Sequence, residues 1–189
     1  MNKRCFVFLV LLLFCLSACS NTQNVAKHDS VVTVEKNPYY EITLLNNEYY
    51  CLIYNKENEV VKKEGPLNQQ PSLIIIPDGL VRLTVQSGTG LSTQWGYYYD
   101  TEKESFSEVF HWIFDQKNGK VACGCANGIV IKSIFSDEYF YEIADFKHPL
   151  SNVVEPFLDA EFSDDGTSIK VTYLSGEDYE EITEDFVLI

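Results

Sequence analysis

Two hydrophobic regimes divide the chain. Residues 6–16 form an unbroken apolar run behind Lys3 and Arg4, whereas from Tyr39 onward the apolar residues come in short bursts of β-branched and aromatic side chains. Asn, Asp, Gly and Pro separate these bursts, and this pattern predicts antiparallel β-structure. Tyr40 to Leu45 and Tyr49 to Tyr54 flank Asn46-Asn47-Glu48 as a tight hairpin, and Val60 to Lys63 follows the polar turn Asn55 to Glu59. Leu73-Ile74-Ile75-Ile76 is continuously apolar, which predicts a strand buried on both faces. Pro77-Asp78-Gly79 then turns the chain into Leu80 to Gln86, with Val81, Leu83 and Val85 on a core face and Arg82 and Thr84 on a wetter one.

Gln94 to Asp100 is the most aromatic stretch, and Phe110, Trp112 and Phe114 alternate with His111, Ile113 and Asp115 as a further strand. Gln116 to Lys120 is a turn, Val121 to Cys123 begins the next strand, and Asn127-Gly128 signals a hairpin into Ile129 to Phe135. Tyr139 to Ile143 follows, then a surface loop around His148-Pro149. Leu158 to Ser163, Ser168 to Leu174 and Glu181 to Leu188 read as a closing three-stranded meander. Beyond the N-terminal apolar run nothing has helical periodicity, although Thr101 to Val109 has room for one turn.

Ala160-Glu161-Phe162-Ser163-Asp164-Asp165-Gly166-Thr167-Ser168-Ile169-Lys170-Val171 resembles the strand-turn-strand signature of TolB-type and WD40-like propeller blades. Echoes occur at Pro77 to Val81 and Lys117 to Val121, and the turn glycines Gly79, Gly119 and Gly166 are 119 − 79 = 40 and 166 − 119 = 47 residues apart, near a blade repeat. The expected fold class is all-β: antiparallel meanders as propeller-like blades or open stacked sheets, the same strand count also suiting a two-sheet β-sandwich.

The N-terminal run is too short to span a bilayer, which takes about 20 apolar residues; Ser17, Ser20, Asn21 and Thr22 interrupt it. Its basic start, short apolar middle and the sequence Leu16-Ser17-Ala18-Cys19 resemble the signal peptide and lipobox of bacterial lipoproteins. The resemblance implies that Leu16, Ser17 and Ala18 are recognised by the signal peptidase and that Cys19 is lipidated and becomes the first residue. Residues 1–18 are then a cleaved signal helix, 19–38 a flexible tether and 39–189 one β-domain. The chain also resembles uncharacterised clostridial-type lipoproteins with a Tyr-rich middle and an ending similar to Tyr173-Leu174-Ser175-Gly176-Glu177-Asp178-Tyr179-Glu180-Glu181. No activity comes with that likeness.

Charge narrows the partners. After loss of Lys3 and Arg4 the net charge is (14 − 2) − 28 = −16, which repels phosphate backbones and anionic headgroups alike. Nucleic acid is excluded, and lipid on Cys19 alone holds the membrane. Ser87-Gly88-Thr89-Gly90 lacks the Lys and the helix of a phosphate loop and is read as a turn.

Three cysteines remain in the body, Cys51, Cys123 and Cys125; Cys123 and Cys125 share a strand face, lack a second metal-ligand pair and are read as small apolar side chains, with pairing to Cys51 left open. Asp164 and Asp165 are read as turn formers. No metal or cofactor is expected.

Trp95, Tyr97 and Tyr99 share one face and are the candidate platform for stacking a sugar ring, with core packing as the alternative. The expected function is a monomeric, membrane-anchored extracytoplasmic domain, without enzymatic activity, that binds an envelope protein or glycan. In a cell with two membranes the address is either of them. The alternative is a secreted wall-glycan or peptide hydrolase using a carboxylate pair. Asp100, Glu102 and Glu104 alternate, but no nucleophile or zinc-protease motif accompanies them.

Overall fold

The computed structural model describes residues 30–77, 79–90, 93–125, 127–153 and 155–188. Leu16 to Cys19 lie outside the described residues. The rest is all-β, with four antiparallel sheets that follow one another along the chain.

The first sheet runs in the order β1 (Val32–Lys36), β2 (Tyr40–Leu45), β3 (Glu48–Tyr54), β4 (Val60–Leu67). The second contains β5 (Ser72–Ile76), β6 (Leu80–Gln86) and β7 (Gln94–Asp100), with the short pieces β8 (Ser105–Phe106) and β9 (Phe110–His111) both pairing with β7. The third is β10 (Ile113–Lys117), β11 (Lys120–Cys125), β12 (Gly128–Ser133) and β13 (Tyr139–Ile143). The fourth is the meander β14 (Phe157–Phe162), β15 (Ser168–Ser175) and β16 (Glu180–Val187).

The hairpins form where the sequence supplies residues that tolerate positive φ. Asn46 and Asn47 take φ of 54° and 65° between β2 and β3, and Asn118 and Gly119 take 49° and 73° between β10 and β11. Two successive left-handed residues match the right-handed twist of the flanking strands. Gly79, Gly119 and Gly166, at φ of 77°, 73° and 71°, each turn the first strand of their sheet into the second. Asn37 occupies that place in the first sheet, 79 − 37 = 42 residues before Gly79. The sequence spacing is therefore a structural repeat of four meanders.

The sheets stack face to face in chain order. The back of the first (Tyr40, Ile42, Cys51, Ile53) packs on the front of the second (Leu73, Val81, Leu83, Val85, Tyr97, Tyr99). The back of the second, with Tyr98, packs on Ile113, Val121, Cys123 and Val130 of the third. The other face of the third, with Ala122, Ile129 and Ile131, packs on Phe157, Ala160, Ile169, Val171 and Tyr173 of the fourth. Three buried layers join four sheets, and among the described residues no buried cluster joins the fourth sheet back to the first. A two-sheet sandwich does not describe this arrangement.

Four local expectations change. Ile74 and Ile75 are 37% and 50% exposed, because β5 is an edge strand whose cover comes through Leu73 in the first layer and Ile76 against the second. Val32–Lys36 belongs to the first sheet rather than to a tether; β1 pairs with β2 although every one of its residues is exposed. The strand expected over Phe110 to Phe114 breaks at Trp112, whose φ is 56°. There the N–H donates to the Gln94 carbonyl of the second sheet and the carbonyl accepts from the Gly124 N–H of the third, so the chain changes sheets at this residue. Arg82 is not on a wet face: it donates to the Gln116 side chain between the second and third sheets.

Candidate functional site

β7 carries the candidate stacking residues. Trp95, Tyr97 and Tyr99 do share a face, but Tyr97 and Tyr99 are 1% and 0% exposed inside the layer between the first two sheets. Trp95 stacks on Tyr97 at 6.4 Å, and Phe106 stacks on Tyr99 at 4.6 Å and meets Tyr97 edge-on at 5.6 Å. Lys62 of β4 covers the remaining face of Tyr97, with Nζ 3.7 Å from the ring centre, and the Tyr97 hydroxyl donates to Glu64 at 3.1 Å. Burial, with Glu64 beside it, drives the Tyr97 pKa far up. No face of Tyr97 or Tyr99 is left for a sugar ring, so core packing replaces the platform reading.

The alternating acids also resolve into separate tasks. Asp100 is buried, accepts from the backbone N–H groups of Glu102 and Lys103 at 2.9 and 3.0 Å, and pairs with Lys103 Nζ at 2.9 Å. Burial alone would raise its pKa, but the Lys103 ammonium and the two N–H donors outweigh burial and hold it low. It is a turn anchor. Glu102 instead pairs with Lys56 at 2.6 Å on the surface. Asp165 is likewise absorbed by its own turn: Oδ1 accepts from Ser163, from the Thr167 N–H and from the Thr167 hydroxyl, at 2.7, 3.0 and 2.8 Å.

The body cysteines are free thiols. Cys51 lies in the first layer and Cys123 in the second, on opposite sides of the second sheet, so the two do not face each other. Desolvation lifts Cys51 to about 12 and Cys123 to about 11, leaving both protonated and unreactive near neutrality. Among the described residues no three His, Cys, Asp or Glu side chains converge as a metal site.

Among the described residues, what remains open is the front of the first sheet, opposite its buried back. Thr43, Leu45, Tyr50 and Leu52 are half-buried there and, with Val31 and Lys63, line a shallow depression of about 260 Å³. Lys63 Nζ stands 5.1 Å from the Tyr50 ring centre. At the β1 edge Glu41 gathers Lys36 Nζ at 2.6 Å, the Tyr54 hydroxyl at 3.0 Å and the Thr33 hydroxyl at 3.0 Å. These donors hold Glu41 below its ordinary pKa, Lys36 contributing most, and the same contact raises Lys36. The surface therefore combines an apolar floor, two tyrosines, an ion-paired corner at Lys36 and a lysine corner at Lys63. A second depression of about 220 Å³, between Lys120, Ile131, Phe140, Tyr141 and Leu188, has a similar make-up, with Lys120 Nζ 4.8 Å from the Phe140 ring centre.

The front-face residues went unremarked in the sequence. The signal was present: β3 is apolar or aromatic on both faces, Tyr50, Leu52 and Tyr54 alternating with Cys51 and Ile53, yet only one face is covered.

No protein-family model matches the chain, and no curated protein does. Among solved structures it is similar to the computationally designed Ika4 protein, with 9% identity and a TM-score of 0.44 over 86% of this chain and 93% of that one. It is also similar to KlAtg21, solved in complex with the coiled-coil of AgAtg16, with 13% identity and a TM-score of 0.41 over 84% of this chain. The WD40 domain of SCAP from fission yeast is a further likeness, with 11% identity and a TM-score of 0.41 over 83% of this chain. The chain spans 53% and 44% of the lengths of those last two. The four-sheet order described above stands on the chain's own strand pairing, independently of these likenesses.

Proposed function

We propose that the chain is a lipoprotein held at the extracytoplasmic face of a membrane by lipid on Cys19, and that its β-domain is a non-enzymatic binding or envelope-assembly module built from four propeller-type blades. The observation that carries the module is the uncovered front of the first sheet, with Leu45, Tyr50, Leu52 and Lys63 around one depression. A half-apolar surface with aromatic anchors and a cationic rim suits a protein or glycan surface better than a buried small molecule. Supporting the anchor are Leu16-Ser17-Ala18-Cys19 and the acidity of the body, which gives anionic lipid no electrostatic hold. Because β1 begins at Val32, the tether runs from Cys19 to Val31 and reaches about 40 Å when fully extended.

Two measurements test this reading. Mass spectrometry of the N-terminal peptide should find a diacylglycerol adduct on Cys19, and Cys19→Ala should leave the membrane fraction with an unchanged far-ultraviolet spectrum; full retention of that variant would remove the anchor. A photoreactive residue in place of Leu52 should crosslink an envelope component in intact cells while the same residue at exposed Tyr179 does not. Equal yields at both positions would remove the binding face.

A further inference from the structure

The stack ends in two unlike faces. The front of the first sheet presents Lys36 on β1 and Lys63 on β4, with Thr43, Leu45, Tyr50 and Leu52 between them. Lys36 is paired with Glu41 at 2.6 Å, whereas Lys63 has no ion-pair partner among the described residues. The back of the fourth sheet presents Asp159 and Glu161 on β14 and Glu181 and Asp185 on β16, all exposed, around Lys170 and Thr172. Leu158 and Val187 stand 40% and 63% exposed on these same two strands. One end is half-apolar, with Glu41 offsetting Lys36, Glu48 accepting from the Tyr50 hydroxyl at 3.1 Å and Lys63 as its cation outside any ion pair among the described residues; the other is acidic.

Inside the molecule each layer joins the back of one sheet to the front of the next, and the first-to-second turn recurs at the same place in every meander. First strands also lie over first strands: Asp115 of β10 accepts from the Phe162 N–H of β14 at 2.9 Å, and Asn118 in the β10–β11 turn donates to the Asp165 carbonyl in the β14–β15 turn at 3.4 Å. Extending that rule by one step sets the back of a fourth sheet on the front of a first sheet. β14, with Asp159 and Glu161, then lies toward β1 and Lys36, and β16, with Glu181 and Asp185, toward β4 and Lys63.

The geometry points to head-to-tail association of a second copy of this chain, the acidic back of the fourth sheet of one copy seated on the half-apolar front of the first sheet of the other, against Lys63. The acids of β16 facing Lys63 orient the encounter, and acid against acid disfavours the back-to-back pairing. The contact is heterologous, so it closes when each of two copies presents both ends to the other and otherwise runs on to further copies. Its faces lack the buried aromatic rows of the interior layers, and the net charge of −16 opposes approach from a distance. The association is therefore weak, in the micromolar range. The acidic back would otherwise be what terminal sheets of a repeat stack commonly are, a polar cap that keeps the chain soluble.

Sedimentation velocity on the full lipidated chain in excess detergent, across about two decades of micromolar concentration, distinguishes these. The expected result is a reversible rise in mass with concentration. Lys63→Glu should weaken it by about tenfold, and Glu181→Lys with Asp185→Lys should weaken it similarly. The three together should regain association to within a few-fold of the native chain. Lys132→Glu, on β12 of the third sheet and so away from both ends, makes the same change in total charge as Lys63→Glu and should leave association unchanged. Whole-molecule repulsion alone predicts the opposite for the double lysine variant, which is less acidic. A single copy at every concentration would overturn the inference and leave the acidic face as a cap. So would association that responds equally to Lys63→Glu and Lys132→Glu, or one the triple variant fails to regain. The bait crosslink from Leu52 is separate: recovery of another envelope component there with no self-association would sink this inference and leave the proposed function standing.

Discussion

Asp165 shows how a turn residue acquires a pH dependence. Three donors on one oxygen, the Thr167 N–H first among them, hold its carboxyl down at about 2 against an ordinary 3.8. A pKa depressed by folding means stability that is fully present above about pH 4 and is lost as pH falls toward 2. Melting curves of the native chain and Asp165→Asn should therefore differ at neutral pH and converge near pH 2; a constant difference would show that the carboxylate is not the group at work. The neighbouring glycines separate backbone strain from crowding. A Cβ on Gly119 would meet nothing within 4 Å, so Gly119→Ala should destabilise by about 1 kcal/mol through its φ of 73° alone. A Cβ on Gly166 would stand 2.9 Å from Asn118 Nδ2 of the third sheet, so Gly166→Ala should lose more, and Asn118→Ala should recover the excess in a double-mutant cycle. The Asp-Gly turn was legible because its chemistry is local. The fate of Tyr97 and Tyr99 was not, because an alternating aromatic row is the same sequence whether the neighbouring sheet covers it or water does.

At the level of elements, the period-two pattern marked nearly every strand, and its failures have physical causes. β1 is bound to β2 by backbone hydrogen bonds and a surface network at Glu41, with no buried side chain, so no hydrophobic signal announces it. Ile74 and Ile75 carry such a signal and are nevertheless exposed, since apolar content does not report whether a strand lies at an edge. Ile75→Lys should accordingly shift stability by no more than about 0.5 kcal/mol, while Leu83→Ala in the covered centre of β6 should lose about 2 to 5 kcal/mol, both read by urea denaturation. A large loss from Ile75→Lys would mean that β5 is covered after all. Trp112 marks a third kind of failure: alternation continues unbroken through Phe110, Trp112 and Phe114 while the backbone passes from one sheet to the next. Periodicity records which side of the chain is apolar, not which sheet receives it.

At the largest scale, the described residues form a one-dimensional stack of four meanders with buried layers between neighbours and, among those residues, open faces at both ends. The proposed binding and self-association use those ends: the front of the first sheet as binding face and the back of the fourth as its acidic counterpart. The repeat was readable from Gly79, Gly119 and Gly166, but its openness was not, because four blades closed into a ring and four blades left open share the same turns. Packed sheets lie about 10 Å apart. The deciding measurement is the distance between spin labels at Lys63→Cys and Asp185→Cys, taken by pulsed electron resonance on dilute chains carrying Cys125→Ser to suppress labelling of the half-buried thiol. The open stack predicts a separation above about 20 Å. A distance near 10 Å would mean that the fourth sheet packs on the first within one chain, and both end faces would disappear with it.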